Sequence, residues 1–216
     1  GATFIGPESG GFTPSATFVS FIANDTLTGD SYGLLPYNAF GELKNEDWRF
    51  AAGLQNDVFN PRKPTVISLA SMFSSGNTGS FRSQARIERF IKPSSTSEYT
   101  VQVALSDPIQ SVFGSRDLRI QEDNGWPNVE GRVNMGLGEM ETLTGGRKAR
   151  TFELGSSAFV GQIRTTRSIL APQDPQNPVR SVVNCWGFGI DAAINLTSSI
   201  GLQGELFTGA GLGEYN

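Results

Sequence analysis

Residues 128–137 of the chain read Asn-Val-Glu-Gly-Arg-Val-Asn-Met-Gly-Leu. Apolar or small residues fill every second position from Val129, and polar residues fill the positions between them as far as Asn134. A period of two places these sets on opposite faces of an extended chain, because successive side chains of a β-strand point in opposite directions. The stretch therefore predicts a strand with one apolar and one polar face.

The same alternation recurs along the chain, which indicates an all-β fold. It is sustained in six segments, at 47–56, 81–88, 99–105, 128–137, 186–196 and 200–206. Three further segments, at 15–24, 32–44 and 150–165, have the composition of strands with less regular faces. In the last of these the apolar face switches before Phe159, which predicts a β-bulge near Ser156 and Ser157. The chain is thus expected to form about nine strands.

The connectors between these strands alternate in length. Short polar connectors lie at 45–47, 93–97 and 197–199, with 138–148 of middling length, whereas long ones lie at 58–78, 106–127 and 166–180. We expect all the short connectors at one end of the sheet and all the long ones at the other. This asymmetry is typical of outer-membrane β-barrels, as are aromatic residues at strand starts, here Trp48, Phe81, Tyr99, Phe152 and Trp186.

Two fold classes fit an alternating all-β chain. A soluble β-sandwich also alternates, since one face of each sheet packs against the other sheet while the opposite face meets water. Strands that cross a membrane need about 9–11 residues, against about 5–6 in ordinary sheets, and several segments here reach the membrane length. The pattern therefore favours an antiparallel up-and-down transmembrane β-barrel over the sandwich.

The composition excludes several kinds of chemistry. The 216 residues contain no histidine and a single cysteine, Cys185, so the chain has no Ser-His, Cys-His or His-metal site. Lys and Arg number 17 against 21 Asp and Glu, and the net charge of −4 argues against a nucleic-acid partner. Residues 121–124, Gln-Glu-Asp-Asn, lack the spacing of a calcium loop, which favours a solvated loop. We predict no enzymatic activity and no cofactor.

The polar faces of the strands carry the candidate functional residues, because in a barrel this face lines the lumen. The predicted pore-lining residues are Arg49, Arg82, Arg86, Glu88, Glu130, Arg132, Arg164, Asp191 and Glu205. Guanidinium groups on neighbouring strands bind carboxylate or phosphate, so a preference for anionic solutes is one interpretation. The other interpretation is a solvated face on which arginines and carboxylates neutralise each other.

Three stretches carry a resemblance to a known family. Residues 46–59 read EDWRFAAGLQNDVF, and residues 123–132 read DNGWPNVEGR, in which proline precedes a Gly-Arg pair. Residues 186–209 begin with an aromatic-Gly pair and contain a polar turn. In order and spacing these stretches resemble outer-membrane porins related to the DcaP dicarboxylate channel, in the variant associated with planctomycete-type bacteria. The likeness runs from roughly Tyr37 to Tyr215.

The resemblance implies a homotrimeric barrel in the outer membrane, surrounded by lipid, through which small hydrophilic solutes diffuse passively. Anionic solutes such as dicarboxylates are the preferred class in that family. Nine is an odd strand number, whereas bacterial single-chain barrels close with an even one. We therefore expect residues 1–216 to form a single segment of a longer barrel, incomplete at both ends.

Two alternatives remain open at the level of sequence. The sandwich fold would suit a soluble carbohydrate-binding domain of lectin type, in which an aromatic residue such as Trp126 stacks on sugar. The apolar stretch at 66–73 lies in a long connector. It would either fold inward and narrow the pore or pack at the contact between trimer subunits.

Overall fold

The computed structural model describes residues 1–23, 33–62, 81–108, 126–144, 146, 148–165 and 181–212. Most of these residues lie in ten β-strands. The strands are β1 (Ala2–Ile5), β2 (Thr13–Ala23), β3 (Gly33–Lys44), β4 (Trp48–Asn56), β5 (Phe81–Ser94), β6 (Ser97–Ser106), β7 (Asn128–Thr142), β8 (Lys148–Thr165), β9 (Ser181–Asn195) and β10 (Gly201–Ala210). Within the described ranges, no helix is long and apolar enough to cross a membrane.

The ten strands form one antiparallel sheet in which each strand pairs with its neighbours in sequence. The predicted all-β, up-and-down fold is confirmed. The predicted count of nine strands is wrong by one, because β1 has only four residues, too few for an alternation to show in the sequence. Among the described residues no pairing joins β1 to β10, so the sheet is open along these two edges, as in part of a barrel.

The connectors alternate between the two ends of the sheet, which confirms the predicted arrangement. The short turns that follow β3, β5, β7 and β9 lie at one end, and the long connectors that follow β4, β6 and β8 begin at the other. Asn45 shapes the first short turn, since its side-chain oxygen accepts hydrogen bonds from the amides of Asp47 and Trp48. The stretches at 66–73 and 121–124, for which the sequence made predictions, lie outside the described residues.

The two faces of the sheet have opposite character. The outer face, which carries Val103 and Ile190, exposes many large apolar side chains. Seven of them are 37% to 65% exposed: Trp48, Val101, Val103, Val133, Ile190, Ile194 and Leu202. The inner face, which carries Arg132 and Asp191, instead buries polar and charged side chains. Soluble proteins have the reverse distribution. Within the described ranges there is one sheet, so the packing of two sheets that a sandwich requires is not found there.

The predicted bulge near Ser156 and Ser157 is wrong. The pairing of β8 with β7 runs without a break through these residues, and the register shifts only between Leu137 and Met140. Phe159 consequently stays on the inner face, where it packs with Phe59 and Cys185 in a small apolar cluster. Phe159 and Ile163, the apolar residues from which the change of face is predicted, instead lie where residue Phe59 of another part of the chain covers the strand.

Candidate functional site

The inner face brings together the predicted pore-lining residues, with one correction. The register places on it Arg49, Arg82, Arg86, Glu88, Glu130, Arg132, Asp191 and Glu205. The prediction for Arg164 is wrong: this residue pairs with Val182 on the outer face. The reason is the missing bulge, since without it Val160 and Arg164 stay on the same face as Leu154, which is the outer face.

Residues 57–62, called here the inward segment, are the first part of the long connector after β4 and lie against the inner face. The amides of Val58 and Phe59 donate hydrogen bonds to Glu130 Oε2, at 2.8 and 3.1 Å. The other carboxylate oxygen of Glu130 accepts a hydrogen bond from Ser106 Oγ at 2.6 Å. A buried carboxylate that receives several donors is a strong anchor. Glu130 thus fixes the course of the segment and is itself fully buried beneath it.

The middle of the inward segment approaches β8 and β9 closely. The rings of Phe59 and Phe159 meet edge to face, with 4.9 Å between their centroids. Gly187 leaves room for both rings, since a Cβ there would lie 2.5 Å from the Phe159 ring and 2.7 Å from the Phe59 ring. The next residue, Asn60, has a φ of 46°, which asparagine tolerates, and its amide donates to Ser157 Oγ at 3.2 Å.

Arg62 ends the inward segment among carboxylates of three strands. Its guanidinium nitrogens lie 2.8 Å from Asp191 and 2.6 Å from Glu153, and its backbone amide donates to Glu205. Burial alone would lower the pKa of the Arg62 guanidinium, but the neighbouring carboxylates outweigh burial and the net effect raises this pKa. Arg62 therefore remains charged and holds the end of the segment by electrostatic attraction.

Asp191 joins the inward segment to the wall of the sheet. Besides the contact with Arg62, its carboxylate accepts hydrogen bonds from Arg132 of β7, with Nη2 at 2.8 Å and Nε at 3.2 Å. Arg132 also donates to the side chain of Asn134 at 3.0 Å. Only 2% of the Asp191 side chain is exposed, so water screens these ion pairs weakly.

Arg82 anchors the beginning of the inward segment. Its Nε lies 3.1 Å from the carboxylate of Asp57, and both side chains are fully buried. Its Nη1 donates to the carbonyls of Asp107 and Pro108 at 3.0 and 2.7 Å. One side chain of β5 thus holds together the first residues of two long connectors. Its positive charge is paired with the carboxylate of Asp57 in the interior of the protein.

A third group of charges lies on β3, β4 and β5, near the short turns. Arg49 binds Glu42 on one side and lies 2.7 Å from Glu88 on the other. Arg86 shares Glu88 at 3.3 Å and donates to Gln84 at 2.9 Å. Each positive charge in this group therefore has a negative charge beside it.

The pairing of charges bears on the two interpretations of the inner face that the sequence left open. Each described arginine on this face has a carboxylate partner: these are Arg49, Arg62, Arg82, Arg86, Arg132 and Arg150. Their side chains are at most 14% exposed, whereas the partners Glu42, Glu98 and Glu153 are 19% to 22% exposed. The arrangement favours mutual neutralisation over a wall of free positive charge.

Two cavities open along the inner face toward the short turns. The larger, of about 780 Å³, is lined by residues of β1, β2 and β3 and by charged side chains that include Glu42, Lys44, Lys92 and Glu98. The other, of about 580 Å³, lies between Arg62 and the turn after β9. Hydroxyl, amide and charged groups line both of them together with apolar side chains such as Phe90 and Leu143, so polar groups are within reach of water and small hydrophilic molecules in this space.

Sequence reasoning missed part of this site. Asp57 and Arg62 follow β4 in a connector with no periodic pattern. The partner of Asp57 is Arg82, 25 positions later in the next strand, and Arg62 reaches Asp191, 129 positions away. Among the described residues, no group of three or more acidic or cysteine side chains is placed to hold a metal ion.

Comparison with known proteins finds no matching family, no matching characterised protein and no matching solved structure.

Proposed function

We propose that this chain forms the wall of an outer-membrane porin, a passive diffusion channel for small hydrophilic solutes. The observation that carries the proposal is the opposite character of the two faces of one sheet. The apolar face is exposed along several neighbouring strands, and a continuous exposed apolar surface needs a lipid or protein partner. The polar face is turned away from it and holds charged side chains around open space.

The lengths of the strands support a membrane location. Nine of the ten strands have 9 to 18 residues. A strand tilted by about 45° needs about 9–11 residues to cross the hydrocarbon core. Because every strand pairs with its sequence neighbours, backbone groups between the edges are satisfied within the sheet, as a bilayer requires.

Two features of the inner face support the proposed passage of solutes. The inward segment lies against this face and narrows the space beside it, while the cavities near the short turns stay open. Paired charges of both signs provide a hydrophilic path without a deep electrostatic trap, which suits a channel that must release what it admits.

Two finer features of the proposal come from the family resemblance alone. One is the homotrimer. The other is the preference for dicarboxylates, and here the described inward arginines give no separate support, because each has a carboxylate partner. We therefore propose small hydrophilic molecules, and no narrower class, as the solutes that diffuse through the channel.

The function is tested with the purified full chain in lipid. We expect the protein to require detergent for extraction, and to give stepwise conductance in planar bilayers and swelling of vesicles in a small uncharged sugar. A chain that stays soluble without detergent and gives no conductance would contradict the proposal. Retention of such a soluble chain on immobilised oligosaccharides would instead favour the carbohydrate-binding alternative.

A further inference from the structure

Arg164 is placed differently from the other described arginines. It lies near the end of β8, on the outer face and at the end of the sheet where the long connectors begin. Its partner Val182, and the pair Val160 and Trp186 four residues along the two strands on the same face, are apolar and 47% to 59% exposed. The side chain therefore stands at the margin of the apolar surface, where a barrel meets the headgroups of the leaflet.

Arg164 also differs in its partners. Within the described ranges every other arginine lies beside a carboxylate, including Arg89 on the outer face, whose partner is Asp47 at 3.1 Å. Arg164 has no carboxylate among the described residues and donates from Nε to the side-chain oxygen of Gln162. A guanidinium beside apolar surface is stabilised by an anion that pairs with it.

The polar neighbours of Arg164 are oriented to present further donors. Because Gln162 Oε1 accepts from the arginine, Gln162 Nε2 points to Asn184, whose Oδ1 accepts at 2.7 Å. Gln162 and Asn184 are direct partners across β8 and β9. This chain of hydrogen bonds leaves the amide nitrogen of Asn184 and both Nη atoms of Arg164 as donors at the surface.

We propose that Arg164 and Asn184, oriented by Gln162 between them, bind the phosphate of an anionic lipid headgroup in the leaflet at the long-connector end. A planar guanidinium with two Nη donors matches phosphate oxygens in a bidentate way. Trp186 lies on the same face, two residues along β9 from Asn184 and four from Val182, the partner of Arg164. It is thus about 7 Å deeper than Asn184 and about 13 Å deeper than Arg164, which is the depth order of headgroup and interfacial aromatic ring. The inference rests on the proposed membrane location and adds a lipid ligand to it.

The test measures lipid enrichment beside Trp186, one of three tryptophans in the chain. The full chain with Trp48→Phe and Trp126→Phe is reconstituted in phosphatidylcholine with a minor share of phosphatidylglycerol. Brominated acyl chains are placed on one lipid at a time, and the quenching of Trp186 fluorescence gives the relative affinity for each. We expect phosphatidylglycerol to be enriched and Arg164→Gln to lower its relative affinity about five-fold. Arg164→Lys should retain part of the enrichment.

The matched control is Arg89→Gln, which removes an outer-face arginine at the opposite end of the sheet and should leave the quenching of Trp186 unchanged. Equal quenching by both lipids in the parent and in Arg164→Gln would overturn the lipid site while leaving the membrane location in place. No quenching by either brominated lipid would overturn both. Displacement of phosphatidylglycerol by inorganic phosphate at constant ionic strength would assign the site to a soluble anion and overturn the lipid proposal.

Discussion

At the scale of the residue, Asp191 is the point on which the inner charge network depends most. Its carboxylate faces Arg62 from the inward segment and Arg132 from β7, and it is almost completely buried. Asp191 is the carboxylate partner of Arg132, and it also serves Arg62 beside Glu153, in a place where water contributes little. A buried arginine whose partner is removed has a large desolvation penalty that nothing offsets.

Replacing Asp191 with asparagine should lower the free energy of unfolding by about 3–5 kcal/mol, because the side chain keeps its size but loses the charge that both arginines use. Urea unfolding of the protein in lipid vesicles measures the loss. In bilayer recordings under a salt gradient, the reversal potential of the same variant should shift toward anion preference.

The matched control is Glu98→Gln, which also removes an inner-face carboxylate. Glu98 is 22% exposed and lies 3.5 Å from Arg150, and Arg150 keeps two backbone carbonyls as partners. We expect a loss below about 1 kcal/mol there. Equal losses for the two variants would mean that Asp191 is no more important than a partly exposed pair.

At the scale of the element, the inward segment is held by close fit as much as by charge. Gly187 in β9 allows the rings of Phe59 and Phe159 to lie over the strand. Phe59, Phe159 and Cys185 form the buried cluster beneath the segment. Any group added at Gly187 must therefore displace one of these rings.

Gly187→Ala should undock the middle of the inward segment, because the new methyl group would overlap both phenylalanine rings. The thiol of Cys185, the single cysteine of the chain, should then react faster with a maleimide, and channel conductance should rise. Gly204→Ala is the control, since a Cβ at Gly204 in β10 meets nothing within 4 Å. Unchanged labelling and conductance in Gly187→Ala would show that the rings shift without releasing the segment.

Much of the sheet is predictable from sequence, because apolar and polar residues alternate with period two in the strands and so mark their two faces. The alternation around Val133 or Ile190 predicts the strand, the face on which each side chain lies and the residues that share this face. It fails at Phe159, where the partner that makes an inward apolar residue favourable is Phe59, 100 positions earlier in the chain. The same limit hides Arg62, whose carboxylate partners are specified by the fold and by no local pattern.

At the scale of the whole molecule, the outer face defines how the protein meets its surroundings. Val103 lies near the middle of β6, is 50% exposed and pairs with Ile87 and Gly131 on the same face. In water such a surface would drive aggregation, whereas in a bilayer it meets acyl chains.

Val103→Arg should destabilise the protein in lipid by about 2–4 kcal/mol, the cost of a basic residue near the bilayer midplane. Urea titration in vesicles measures this change. Val103→Leu is the control, because it keeps the surface apolar and should have little effect. An arginine at Gln102 would lie beside Arg132, 3.5 Å from the present side chain, so that inner-face position is a poorer comparison. Tolerance of Val103→Arg would argue against a lipid-facing sheet.

The inward segment contacts residues that are far from it in sequence, and this predicts the order in which the parts of the fold form. Strands pair with their immediate neighbours, while the segment reaches partners 72, 97 and 143 positions away in Glu130, Ser157 and Glu205. Contacts that close long stretches of chain form after local ones, because more chain entropy is lost before they contribute. We therefore expect hairpins to assemble first and the segment to settle only once β10 is in place. Until that moment the polar face remains hydrated, and the nascent sheet can curl without an obstruction inside it.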